Sequence, residues 1–298
     1  MRSCKSMLAA AAVAAVAFSP IPALADAETK EPVKILFINS SDGDFISAVY
    51  GEVLKETGYR VKYVQADYAA GYTAVETGDI DASLQAWQTT GVDLTKKVVD
   101  SGKVENYGPT GVKVSEGWWY TTELKAACPG LPKWEALKEE ACIKALVVAD
   151  TAPKGRYVDA PADWSTGAAD RIKELSLNLT AVNSGSPAAL VASIKGALDR
   201  KEPSLSWGFL PHWLLNANTG GFVELPGFKP NVDVLKLVNK AAFAKIPKAA
   251  AILKAFNLSA DVVAVAMDTQ DNGGKTAEQA AHDWMAMNEA TWKTWLPK

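Results

Sequence analysis

Apolar runs of strand length alternate with stretches of helical periodicity along the opening third of this chain, and that alternation restricts the fold more than any other feature. The run "VKILFI" (33–38) is compact and apolar, and the polar "NSSDGD" after it reads as a loop. "FISAVYGEVLKETG" then places Ile46, Val49, Val53 and Leu54 at helical spacing before Gly58. "YRVKYV" (59–64) gives a second strand, "GYTAVETG" a short helix ending on Gly78, and "DASLQAW" (81–87) a third strand. This order predicts an α/β fold with a parallel sheet covered by helices.

The pattern restarts after about residue 115. "KALVVA" (144–149) reads as a buried strand and "STGAADRIKEL" as a capped helix. "PAALVASIKGALDR" reads as an amphipathic helix with Pro187 at its start, and "PSLSW" as a strand closing on Trp207. "TGDIDASLQAW" and "LDRKEPSLSW" echo each other: each is a helix end, a charged turn, and a strand carrying Ser-Leu and closing on Trp. The echo suggests two α/β lobes that each present an indole from the same kind of place. From Val234 onward the chain is helical, and Met285, Trp292 and Trp295 are expected to pack as core. Such a tail closes one lobe, so residues 26–114 with 233–298 are expected to form lobe I and residues 115–232 lobe II.

Residues 1–25 stand apart: Arg2 and Lys5 make a positive start, "MLAAAAVAAVAF" an apolar centre, and "ALA" before Asp26 a small-x-small site. They read as a signal peptide cleaved after Ala25, which implies export. No later stretch approaches the roughly 18 apolar residues of a membrane-spanning helix. Without that segment the chain carries 29 basic and 34 acidic side chains, and the acidic balance offers no basic field for nucleic acid. Cys128 and Cys142, at the ends of "CPGLPKWEALKEEAC", predict a disulfide in an oxidising compartment. A metal site would want further Cys or His ligands nearby. By loop-closure reasoning the bridge adds about 3 kcal/mol.

Ligands of open α/β sheets bind beyond the carboxyl ends of strands, where Trp87 and Trp207 are both expected. Trp164, in "PADWSTGAAD", precedes a helix whose first turn is expected to hold Ser165, Thr166 and Gly167; the free N–H groups of such a turn attract anions. A single Trp is commonly a core residue, but three at loop junctions point to a methylated cation. A trimethylammonium group donates no N–H hydrogen bond, and an indole face offers it negative quadrupole and apolar contact together, at roughly 0.5–2 kcal/mol per ring. Trp118 and Trp119, in "SEGWWYTTE", are neighbours on a strand and face opposite sides, so at most one meets a ligand; Glu116 is a candidate polar partner. No cofactor or metal is implied.

These residues resemble the substrate-binding proteins of glycine betaine/proline betaine ABC transporters over the whole length after residue 25. "ADYAAGYTAVETGDIDASLQAW" looks like the family's first-lobe pattern and "SWGFLPHW" like its second-lobe motif, with Trp87, Trp164 and Trp207 at the tryptophan-box positions. The resemblance implies a two-lobed, type II periplasmic binding protein with the ligand cleft between the lobes. It also implies a carboxylate held by backbone amides at Ser165 and Thr166, and an ABC permease and ATPase as partners of a monomeric protein. Some betaine binders carry a His four residues after the first-lobe Trp, where this chain has Gly91. "GWWY", "CPGLP" and "TAPKGRY" look closer to a subgroup that includes trimethylamine N-oxide binders, in which an acidic residue near the paired tryptophans contacts the polar end.

The expected function is capture, in a tryptophan box, of a quaternary-ammonium or related methylated-amine osmolyte of the glycine betaine, proline betaine or choline type, with trimethylamine N-oxide as the alternative in the same fold. A pocket rich in indoles and poor in acids is the expected setting. An exported hydrolase is the rival from another class. It has little material: His212 and His282 are the only histidines, there is no G-x-S-x-G, and the bridge would leave no free thiol.

Overall fold

The computed structural model describes residues 27–297, so the expected signal peptide lies outside the described residues. Its nine strands are β1 (Val33–Phe37), β2 (Val61–Gln65), β3 (Ala82–Trp87), β4 (Val104–Thr121), β5 (Gly155–Asp159), β6 (Leu179–Asn183), β7 (Leu205–Leu210), β8 (Gly220–Phe222) and β9 (Val232–Asn239). They run in the order β2-β1-β3-β9-β4-β7-β5-β6, with β8 added against β4. β1 pairs in parallel with β2 and β3, and β5 with β6 and β7. The middle is antiparallel, because β9 runs against both β3 and β4, and β4 against β7. The sheet is therefore mixed where the alternation predicted a parallel one.

β4 is 18 residues long and serves two neighbours. Its first part, to Val114, pairs with β9; from Ser115 to Tyr120 it pairs with β7. The chain returns beside this crossing, where Asn231 N–H donates to Ser115 Oγ at 3.0 Å and Val232 pairs with Val114. Two hydrophobic cores lie on either side. One gathers Ile35, Phe45, Tyr50, Leu84 and Val234 with Met267, Trp284 and Trp295; the other gathers Trp119, Leu124, Tyr157, Leu190 and Leu205. The C-terminal helices Ala260–Asp271 and Ala277–Met287 pack on the helix Ser41–Glu56, so the tail closes the first core; Met285, Trp292 and Trp295 are buried there.

Several elements differ from expectation. "NSSDGD" is not a loop throughout: the helix begins at Ser41, and Asp42 and Asp44 fall in its first turn, where acidic groups suit the helix dipole. "KALVVA" is no strand. Its front half ends the helix Glu140–Leu146, which buries Cys142, Ile143 and Leu146. A short apolar run does not by itself separate helix from strand. The strand of that region is β5, "GRYVD", whose flanking Gly and Asp mask it. Cys128 and Cys142 are joined, their Cα atoms 5.0 Å apart. The helix Pro187–Arg200 begins as read, with Pro187 in its first turn and Ser186 Oγ accepting from Ala189 N–H at 3.1 Å.

Candidate ligand-binding cleft

The pairing register of β4 and β7 builds one wall of the cleft. Glu116 stands opposite Phe209 and Trp118 opposite Trp207. Directly opposed residues share a face, and so do residues two apart, so all four project to the same side. Trp119 projects to the other. Trp119 packs edge-on against Phe222 at 5.0 Å in the second core and lines neither cavity described below. Trp118 stacks on Tyr157 at 4.4 Å and faces the larger cavity. Trp207 does not close its strand, which runs on to Leu210 and brings Phe209 to the same wall.

Two cavities meet at this wall. The larger, of about 420 Å³, is lined by Trp118 and Trp207, by Gln88 and Thr89 from the first half, and by Ser165, Thr166 and the segment Leu225–Lys229. The smaller, of about 20 Å³, lies between Trp87, Trp164 and Phe209 with Tyr68, Ser40 and Asp42. Glu116 and Thr90 border both. Trp87 and Phe209 meet edge to face at 5.6 Å, and Trp164 and Phe209 at 6.1 Å. The three box indoles thus divide between the cavities, Trp87 and Trp164 at one and Trp207 at the other.

Trp164 ends the short turn Ala162–Trp164, and the helix that follows starts only at Ala168. Ser165, Thr166 and Gly167 are therefore not its first turn. Ser165 and Gly167 take left-handed backbone angles (φ 52° and 70°), which break the helix before it begins. Asp159 fixes this link: it accepts from Thr166 Oγ1 at 2.8 Å, from Ala160 N–H at 2.9 Å and from Asn183 Nδ2 at 3.4 Å. The Thr166 hydroxyl is committed to Asp159, which leaves only the backbone at that position for a ligand.

The electrostatics differ from the acid-poor setting expected. Glu116 is 7% exposed and accepts from Thr90 N–H at 3.0 Å and Thr90 Oγ1 at 2.9 Å. Burial pushes its carboxyl up to about 7, against the pull of those two hydrogen bonds. Asp42 is also buried, accepts from Ser40 Oγ, and is raised by burial in the same way. Two carboxyls therefore border the aromatic cavity, and no Lys or Arg lines it. Gly91 is equally informative. A Cβ there would sit 2.2 Å from Tyr72 Oη and 2.7 Å from the Trp87 carbonyl oxygen, so a His at this offset has no room. The space is taken by Tyr68 and Tyr72, whose hydroxyls are 3.0 Å apart.

Sequence reasoning missed Asp42, Tyr68, Thr90 and Phe209. Asp42 follows the carboxyl end of β1, where ligand contacts gather, and Phe209 lies two residues after Trp207 on the same face; both signals were present. Nothing in the sequence marks Tyr68 or Thr90. Among the described residues no cluster of His, Cys, Asp and Glu is arranged to hold a metal ion.

Residues 31–287 match the family model described as the substrate binding domain of the ABC-type glycine betaine transport system. The chain is 28% identical over 313 residues to the trimethylamine N-oxide-binding protein of Pelagibacter ubique (strain HTCC1062), covering 98% of each. Among solved structures it resembles lactococcal OpuAC in its closed, glycine betaine-bound form, at TM-score 0.74 and 20% identity over 90% of this chain and 100% of that one. It also resembles an ABC-transporter choline-binding protein in complex with choline, at TM-score 0.75 and 19% identity over 89% and 91%. The fold is that of a type II periplasmic binding protein, and the chain belongs to the family of substrate-binding domains of ABC-type glycine betaine transport systems.

Proposed function

We propose that this chain is the exported, periplasmic solute-capturing subunit of an ABC importer and that its ligand is a small methylated amine without a carboxylate, trimethylamine N-oxide first. The observation that carries the reading is the placement of Glu116, a buried carboxyl that burial pushes up to about 7, beside the cavity bounded by Trp87, Trp164 and Phe209. Protonated, it donates to an N-oxide oxygen, while the indoles receive the methyl groups. At roughly 0.5–2 kcal/mol per ring, Trp87, Trp164 and Phe209 together supply roughly 1.5–6 of the about 8 kcal/mol that micromolar binding requires. Trp118, Trp207, Ser165 and Thr166 line the adjoining cavity through which the ligand enters. Glycine betaine fits less well, because its carboxylate would meet Asp42 and Glu116 with no His at Gly91 to receive it. Choline is the second reading, favoured by Asp42, which can accept from its hydroxyl and face its charge.

Residues 26–114 with 233–298 form one lobe and residues 115–232 the other, so a ligand completes its contacts only when they close. No chemical step is involved. The partners are a membrane permease and its ATPase, which engage the closed monomer. Calorimetric titration of the chain with trimethylamine N-oxide, choline and glycine betaine tests the reading. The N-oxide is expected to bind in the micromolar range, and Trp87→Ala and Trp164→Ala each to weaken it at least about 10-fold. Wild-type affinity in both variants, or preference for glycine betaine, would reject it. Turnover of chromogenic esters would instead revive the hydrolase.

A further inference from the structure

Besides the Thr90–Glu116 pair, two further hydrogen bonds join the halves of the molecule, one at the edge of the aromatic cavity and one on another flank. Asp163 sits in the turn Ala162–Trp164, and its carboxylate accepts from Tyr68 N–H at 3.0 Å. Tyr68 is the first residue of the helix Tyr68–Thr77, whose own cap residue, Asp67, makes no side-chain capping bond. The second half thus supplies the cap that the first half lacks, with its charge at the positive end of the helix. On another flank, Trp213 Nε1–H donates to Asp271 at 2.7 Å, at the end of the helix Ala260–Asp271. Asp163 and Trp213 both lie between the two strand crossings at residues 114–115 and 231–232, and their partners both lie outside them. Neither bond can survive separation of the lobes.

We propose that Asp163 and Trp213 are positioning residues that latch the closed arrangement, Asp163 by capping the helix Tyr68–Thr77 across the cleft and so holding Trp164 against lobe I. The proposal rests on the reading that the lobes open and close, but not on the identity of the ligand. Apparent affinity scales with the fraction of molecules in the competent state, so a latch acts on every ligand alike.

The test uses D163A, D163N, W213F and the D163A/W213F double variant of the full chain. Dissociation of trimethylamine N-oxide, choline and glycine betaine is followed by tryptophan fluorescence, affinity by calorimetry, and ligand-free compactness by small-angle scattering. D163A is expected to raise Kd about 3–10-fold for whichever of these binds, mainly through faster dissociation. It should also enlarge the ligand-free radius of gyration. D163N, whose amide oxygen still accepts from Tyr68 N–H, should recover most of the affinity, and the double variant should lose about the product of the single losses. The proposal is overturned if the double variant keeps wild-type affinity and scattering. It is equally overturned if D163N is as weak as D163A, or if the loss merely tracks a fall in ligand-free melting temperature. Should none of the three compounds bind the wild type, the proposed function fails while the scattering comparison still decides the latch.

Discussion

Glu116 and Trp118 are separated by Gly117 in sequence yet share a face, because a strand alternates its side chains; the same alternation sends Trp119 to the opposite core. That much was legible: of two adjacent tryptophans one had to turn away. Which one turned was not, since it depends on a register with β7 that only the fold sets. Two outcomes follow from the assignment. With Glu116 protonated below about 7 and acting as donor, affinity for trimethylamine N-oxide is highest near pH 6 and declines toward pH 8 as the carboxyl ionises. E116Q keeps a donor at every pH and flattens the profile, whereas choline affinity rises over the same interval; calorimetry at pH 6, 7 and 8 separates these cases. W119A removes a buried ring from the second core and should cost about 3–5 kcal/mol of stability. At a temperature where that variant is folded, its Kd stays within about twofold of wild type, because Trp119 borders neither cavity.

The helix Ser41–Glu56 opens on two acids, Asp42 buried and Asp44 half-buried, and its first turn was read as loop because "NSSDGD" is polar and contains Gly43. Gly43 is there for closeness: a Cβ would come within 2.4 Å of the Gln85 side chain, which donates to the Gly43 carbonyl at 2.6 Å. Periodicity sees apolar spacing and is blind to such close approaches, which is also why β5 was overlooked, while the short helix ending on left-handed Gly78 was read with its end right and its start at Tyr68 missed by three residues. Asp44 makes the cost of this turn measurable. It accepts from Ile38 N–H at 2.7 Å, yet burial raises its carboxyl from 3.8 to about 7. The unfolded chain gives up this proton first, so the contribution of Asp44 is most favourable below pH 4, declines as pH rises to about 7, and is level above that. D44N keeps an acceptor for Ile38 without the charge. Its melting temperature should match wild type near pH 4.5 and exceed it by roughly 3–6 °C at pH 8. An equal gap at both pH values would show that the effect is packing rather than ionisation.

Two cores joined by one shared strand and one returning strand predict a molecule whose halves unfold separately. The long β4 belongs to both halves, pairing with β9 up to Val114 and with β7 from Ser115, and the other backbone crossing among the described residues is the entry to β9 at Val232. Beside the crossing, Lys113 and Asp233 pair at 2.6 Å within the first half and are solvent-exposed, where such pairs contribute little. The Cys128–Cys142 bridge lies wholly in the second core, tying the end of the helix Thr122–Ala127 to the helix Glu140–Leu146. Its loss should therefore weaken one half only. In C128S/C142S, calorimetric unfolding is expected to resolve into two transitions, the lower one assigned to the bridge-bearing half and destabilised by about 3 kcal/mol. Saturating ligand should draw the two together again, because a ligand in the proposed site between Trp87 and Trp164 stabilises both halves only while they remain joined. A single transition, lowered as a whole and indifferent to ligand, would mean that the halves fold as one cooperative unit and that closure moves within a body more rigid than its two cores imply.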